Sequence, residues 1–262
     1  MCKVIDFYRY LDEIAPFSAQ EAWDNSGFLV GDGEARVTKV LVALDATEEV
    51  LCEATEKGAE LVITHHPVIF SPLKELHPSD MAYVAAQKGV AVISSHTALD
   101  VADGGVNDCL AAALGLQNIR KCKDEAGLLR IGELPEQMEL PGFISYVAEK
   151  LGVGGIKYTP AEKPIGTVAV CGGSGAEFYL DAVASGADAY VTANVKHNWW
   201  IEIRRAGFCV LDAGHHCTEN TVIVPLAKRL SERFPETEIL ISERCKDPAN
   251  GQPRFWGGSP CR

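Results

Sequence analysis

The chain has no uncharged apolar run approaching the roughly 18 to 20 residues that a membrane span requires, so no membrane association is expected. Lys3, Asp6, Arg9, Asp12 and Glu13 break up the first dozen or so residues, and no secretory leader is expected there. Basic residues are scarce: 24 Lys and Arg face 36 Asp and Glu, for a net charge of −12. Affinity for phosphate backbones or anionic lipid comes from Lys and Arg, so nucleic acid is an unlikely partner on charge alone. Paired cysteine spacings are missing too. The 9 cysteines are odd in number, contain no Cys-x-x-Cys, and mostly sit in apolar surroundings, as reduced thiols of a cytoplasmic protein would.

What is present is enough apolar material for a large core: 262 residues, 47% of them hydrophobic, fit one big domain or two small lobes. From Lys39 the pattern alternates between strand and helix. Strands are expected at 39–44, 60–64 and 90–93, with helices near 47–57 and 79–88 between them. Residues 116–164 are less regular, with a strand-like segment at 128–132 and a helix at about 141–151. The connector that follows, with Gly152, Gly154, Gly155, Pro160 and Pro164, marks a boundary between lobes. Strands are then expected at 166–171, 188–192, 208–212 and 237–242. The helix ending near Phe234 carries Pro225, so it must start late or bend. The fold class is therefore α/β. We expect a single domain over 1–247, with lobes at about 1–115 and 165–247, a connector at 116–164 and a C-terminal tail at 248–262.

The two lobes match in more than alternation. Gly58-Ala59-Glu60 leading to Thr64-His65-His66 parallels Gly186-Ala187-Asp188 leading to Thr192-Ala193-Asn194. His96 with Asp100 parallels His215 with Glu219. An internal duplication is the expectation, giving two related α/β lobes that face each other across a cleft.

Chemistry gathers at strand ends. The run Ile63-Thr64-His65-His66-Pro67 closes a buried strand with two adjacent imidazoles, and Pro67 ends the ladder there. On a regular strand neighbours point to opposite faces, so both rings reach one site only where the backbone turns. Such a pair, diverging slightly, can hold two different metal ions. Five of the 7 histidines (His65, His66, His96, His215, His216) sit at the expected carboxyl ends of strands together with Asp100 and Glu219, the edge where ligands bind in parallel α/β sheets. Imidazole mixed with carboxylate suits Zn²⁺, Fe²⁺ or Mn²⁺ and leaves the identity open. Asp100 and Glu219 are the candidates to bridge two divalent ions. Asp24 or Asn25 could also face the site. Cys217 reads as packed, His77 and His197 as peripheral, and Gly172-Gly173-Ser174-Gly175 as a tight turn or a phosphate cradle.

Taken in order, Trp23-Asp24-Asn25-Ser26-Gly27-Phe28-Leu29-Val30-Gly31, Thr64-His65-His66-Pro67, Ser95-His96-Thr97-x-x-Asp100, Gly172-Gly173-Ser174-Gly175, Gly186-Ala187-Asp188-Ala189-Tyr190-Val191-Thr192 and Gly214-His215-x-x-Thr218-Glu219 resemble the Nif-three-like family, also called GTP cyclohydrolase 1 type 2 homologs. The resemblance spans about residues 4–247. It implies two related α/β lobes, a toroidal homohexamer and a dinuclear metal centre inside the ring. By matching positions it implies His65, His66, Asp100, His215 and Glu219 as ligands, with Glu219 bridging. His96 is then left over as a proton shuttle or supporting group.

Three departures stand out. Ala193-Asn194 replaces the Gly-acid pair of many members, His216 replaces an aromatic residue, and the short segment between the lobes leaves out a domain that some relatives insert. The activity implied is metal-dependent hydrolysis of a nucleotide, as in a GTP cyclohydrolase, or of a phosphoester. The alternative is a non-catalytic metal-binding ring that acts as a scaffold or in regulation.

Overall fold

Two large sheets divide the protein, beside a small antiparallel pair of Cys2–Lys3 with Arg36–Val37, and the chain crosses between the large sheets twice. The computed structural model describes residues 2–122 and 127–249. Of the expected tail, all but Pro248 and Ala249 lies outside the described residues. The first half runs β1 (Cys2–Lys3), α1 (Val4–Ile14), β2 (Gly27–Val30), β3 (Arg36–Val37), β4 (Lys39–Ala43), α2 (Glu48–Lys57), β5 (Leu61–Thr64), α3 (Met81–Gln87), β6 (Ala91–Ser94), α4 (Thr97–Val101) and α5 (Val106–Ala113). After it come β7 (Gln117–Lys121), β8 (Arg130–Met138), α6 (Leu140–Leu151), β9 (Lys157–Tyr158), β10 (Ile165–Ser174), α7 (Tyr179–Ala184), β11 (Ala189–Ala193), α8 (His197–Arg205), β12 (Cys209–Asp212), α9 (His215–Glu219), α10 (Ile223–Arg233) and β13 (Glu238–Ile241).

The first sheet has the order β13-β4-β5-β6-β2, parallel except for β2. The second has the order β7-β8-β10-β11-β12-β9, with a parallel core of β10, β11 and β12. Both cores are buried on two faces, which is why their strands read as unbroken apolar runs. Alternate residues serve opposite faces. Val40, Val42, Leu61 and Ile63 pack against α1 and α10, while Leu41, Val62 and Val92 pack against α2 and α3. In the second sheet Val168, Val170, Val191 and Leu211 meet α5 and α6, and Ala169, Tyr190 and Val210 meet α7 and α8. Local signals agree. Thr47 caps α2 by accepting from Val50 N–H at 3.3 Å, Glu48 and Glu49 sit in its first turn, and Gly58 closes it in the left-handed region.

The sheets do not follow the expected lobe limits. The segment 116–164 is no mere connector, since β7, β8 and β9 all join the second sheet. β7 is exposed at every residue and so carries no apolar alternation to read. In the other direction α10 and β13, from the end of the chain, complete the first sheet and its core. Pro225 lies in the first turn of α10, so the late start is what occurs. The matched segments 58–66 and 186–194 each contain a strand with parallel neighbours on both sides, β5 between β4 and β6 and β11 between β10 and β12.

Candidate metal centre

His65 and His66 follow β5 directly, where the backbone leaves the ladder. His66 N–H donates to Leu44 C=O at 2.9 Å, and the Thr64 hydroxyl donates to His66 C=O at 2.8 Å. The turn brings the two rings to one side, with centroids 4.9 Å apart. α4, after β6, supplies Asp100, and α9, after β12, supplies His215 and Glu219 on one helical face. Groups from both sheets thus meet at the carboxyl ends of parallel strands.

Hydrogen bonding fixes which nitrogen of each ring is available. His65, with no exposed surface, places Nδ1 2.9 Å from the Ser95 carbonyl. A carbonyl only accepts, so Nδ1 carries the proton and the Nε2 lone pair points inward. His66 Nδ1 lies 2.7 Å from Asp45 Oδ1, leaving its Nε2 inward as well. His96 Nδ1 lies 2.8 Å from Asp24 Oδ1. His215 Nδ1 faces the Asn194 side-chain amide at 2.8 Å. Ligation through His215 Nε2 needs a proton on Nδ1, and therefore the oxygen of Asn194 turned towards it.

His65 Nε2 and Asp100 Oδ1 are buried without a hydrogen bond, and Glu219 Oε2, also buried, faces only imidazole nitrogens. His65 Nε2 lies 3.7 Å from Asp100 Oδ1 and 3.8 Å from Glu219 Oε1. On the other side, Glu219 Oε2 lies 3.0 Å from His66 Nε2 and 2.9 Å from His215 Nε2, and those two nitrogens are 3.3 Å apart. Buried acceptors gathered in one place would be costly without a cation between them. The donor set of imidazole and carboxylate fits a transition-metal or zinc ion, and Glu219 offers one oxygen to each side. His65, His66 and His96 form one potential ligand group, and His66, His215 and Glu219 another.

The electrostatics agree. Burial would lower the His66 pKa, but hydrogen bonding to Asp45 and Glu219 outweighs it and raises the value to about 10. The site therefore stabilises positive charge there, whether on a proton or on a metal. Burial raises the Asp100 carboxyl to about 7, with the charge of Glu219 adding to it against the pull of His65. Burial also pushes Glu219 up, but hydrogen bonding to His215, His65 and His66 overcomes this and holds it well below the usual carboxylate range.

The centre forms the floor of a cavity of about 830 Å³ whose wall includes Trp23, Phe70, Leu128 and Phe178. Asp24, left open beside Asn25 by the sequence, holds His96 and also accepts from Thr97 N–H at 3.0 Å and Thr97 Oγ1–H at 2.6 Å. Burial raises its carboxyl, but the His96 and Thr97 bonds outweigh that and hold it well below its ordinary range. Asn25 donates to Ile69 C=O at 2.6 Å and braces the loop after the histidine pair.

The chain matches the Duf34/NIF3 (NGG1p interacting factor 3) family over residues 2–248. A GTP cyclohydrolase 1 type 2 homolog of Clostridium perfringens is 33% identical over 257 residues, covering 94% of this chain and 98% of the relative. The protein belongs to the Duf34/NIF3 family. Among solved structures, a hypothetical protein of Staphylococcus aureus superposes with a TM-score of 0.88 at 30% identity, covering 95% of this chain and 99% of the other. A Bacillus cereus protein related to NIF3 gives 0.84 at 24%, covering 95% and 99%, a likeness of fold.

Within this Duf34/NIF3 chain the glycine segment does not offer a phosphate cradle. β10 runs through it to Ser174, and its amides are taken: Gly172 N–H by Asn107 Oδ1 at 2.7 Å, Gly173 N–H by Thr218 Oγ1 at 3.0 Å, and Gly175 N–H by Thr192 Oγ1 at 3.1 Å. Asp45 was missed by the sequence reading. Its signal was its place just past strand 39–44, on the same edge as the histidines. Among the described residues no helix is long and apolar enough to cross a membrane.

Proposed function

We propose that the protein is a dinuclear-metal-dependent hydrolase acting on a nucleotide or phosphoester. The observation that carries the reading is the convergence of the buried, unpartnered His65 Nε2 and Asp100 Oδ1 with Glu219, whose Oε2 meets the inward nitrogens of His66 and His215. His65 and Asp100 would hold one ion, His66 and His215 the other, and Glu219 would bridge them. Two divalent ions of the Zn²⁺, Fe²⁺ or Mn²⁺ class supply Lewis acidity and activate water as a nucleophile.

The chain's own groups supply the rest. Asp24 accepts the His96 Nδ1 proton, which leaves Nε2 as a base within reach of the floor of the cavity. The aromatic wall at Trp23 and Phe70 suits a planar ring. The attacked bond would be a purine C8–N bond or a phosphoester. By family resemblance the assembly would be a toroidal homohexamer, which light scattering of the purified protein would test.

The experiment is a screen of metal against substrate. Protein loaded with Mn²⁺, Zn²⁺ or Fe²⁺ should turn over GTP or a chromogenic phosphodiester, and His65→Ala and Glu219→Ala should abolish the activity. Two bound ions per chain with no turnover on any substrate would reject the enzyme and leave a metal-binding scaffold. Metal content near zero in folded protein would reject both.

A further inference from the structure

Behind His66, on the side away from Glu219, lies a second group of ligand-type side chains. Asp45 follows β4, His216 is in α9, and Cys245 follows β13. One potential ligand atom from each lies within 4.8 Å of the others. They come from three separate stretches of chain and from both halves of the molecule. His216 Nδ1 is buried with no hydrogen-bond partner. His65 Nε2 and Asp100 Oδ1 share that condition in the first centre. Cys245 is a free thiol, and its segment is pinned by Cys245 N–H and Arg244 N–H donating to Ser242 Oγ at 3.1 and 3.2 Å.

We propose that Asp45, His216 and Cys245 form a separate site for one borderline metal ion of the zinc class, with a fourth position left to solvent. Oxygen, nitrogen and sulfur donors together suit Zn²⁺ or Co²⁺ and disfavour Mg²⁺ or Ca²⁺. Binding breaks the Cys245 S–H bond, forms a metal–sulfur bond and releases the proton to solvent, with no change of oxidation state. The ion would join α9 of one half to the ends of β4 and β13 in the first sheet. It would also share Asp45 with His66, whose Nδ1 lies 2.7 Å from Asp45 Oδ1. The site stands whether or not the first centre is catalytic, because no ligand is common to both.

Cobalt distinguishes the two. The ligand set of the first centre has no sulfur, although Cys171 lines its cavity, so sulfur-to-cobalt charge-transfer absorption in the near ultraviolet reports the second site once its dependence on Cys245 is shown. Metal-stripped full-length protein titrated with Co²⁺ should develop this band, saturating at one equivalent of sulfur-bound metal. Cys245→Ser should lose the band. His65→Ala, which damages only the first centre, should keep it. His216→Phe retains the thiol, removes the imidazole donor, and should weaken cobalt binding in this band by at least about tenfold. Circular dichroism confirms that each variant is folded. Absence of the band in folded wild-type protein, its survival in Cys245→Ser, or unchanged affinity in His216→Phe would each overturn the site. Loss of the band with the first centre still loaded leaves the dinuclear reading untouched.

Discussion

Gly173 leaves the space that Glu219 occupies. Its φ is 64°, and a Cβ built there would stand 3.1 Å from Glu219 Cδ, even closer to Oε1, and 3.3 Å from His215 Cε1. Gly173→Ala would therefore strain the backbone and push away the carboxylate between the two histidine sets. We expect the variant to fold, with its thermal midpoint lowered by a destabilisation of about 1–3 kcal/mol, and to lose at least about tenfold in affinity for metal, read by competition with a chelator. Wild-type affinity in a folded Gly173→Ala protein would show that Glu219 is not held in place by this contact.

Asn194, at φ 52°, is a residue type that tolerates the left-handed region, as Asp does. Asn194→Asp puts a carboxylate, which only accepts, against His215 Nδ1 and so fixes the proton there and the lone pair on Nε2. The expected result is about tenfold tighter metal binding by calorimetry, whereas Asn194→Ala weakens it by a similar factor. Equal affinities in the three proteins would mean that the tautomer of His215 does not limit binding.

If His96 is the base, Asp24 sets its tautomer. Asp24→Asn should lower kcat by about 10²-fold or more with metal content unchanged, since general-base contributions run to 10²–10⁴. A parallel loss of bound metal would instead make His96 a ligand, as its grouping with His65 and His66 allows.

Arg130 is a buried cation, 1% exposed, held between the halves. Its Nε pairs with Asp108, Nη1 donates to Gly127 C=O at 3.0 Å, and Nη2 donates to Val101 and Ala102 C=O at 3.1 and 3.3 Å, at the end of the helix that carries Asp100. Arg130→Ala leaves these acceptors unpaired and should cost about 3–5 kcal/mol in urea unfolding. Arg130→Lys keeps the charge without the fork and should recover less than half. A loss below about 1 kcal/mol would contradict the structural role.

Glu53, 2% exposed, gathers Lys57 Nζ at 2.8 Å, the Ser242 hydroxyl at 2.5 Å and the amides of Glu243 and Arg244. Burial opposes its charge, yet these bonds win and lower its pKa from 4.5 to about 2. A folded value below the unfolded one means that the stabilisation is complete above about pH 4.5 and fades as pH falls towards about 2. Glu53→Gln should cost on the order of 1–2 kcal/mol at pH 7 and much less near pH 2.5. A constant difference between the two proteins across that range would exclude this linkage.

The parallel cores of both sheets were legible because strands buried on two faces leave continuous apolar runs such as Val40-Leu41-Val42 and Tyr190-Val191. The histidine pair was legible because Pro67 ends its strand. The lobe limits were not, since nothing in the Glu238–Ile241 segment says which sheet it joins. That choice is made by α10 packing Leu226 and Leu230 against the first core. β7 and β9 are short, exposed and polar, and they form only because a neighbouring edge is there to pair with. Asp45 and Asn194 each act through a neighbouring imidazole, a relation that spacing along the chain does not encode.

The pairing of β13 with β4 also orders events in time. Glu238 bonds beside Lys39, so during synthesis the β4 edge of the first sheet waits, unpaired and apolar, until residues 238–241, about 200 positions further on, have emerged. His215 and Glu219 arrive late as well. A nascent chain that ends before residue 215 therefore presents His65, His66 and Asp100 without their partners, so an ion that needs the whole set would be held only after Glu219 has been added.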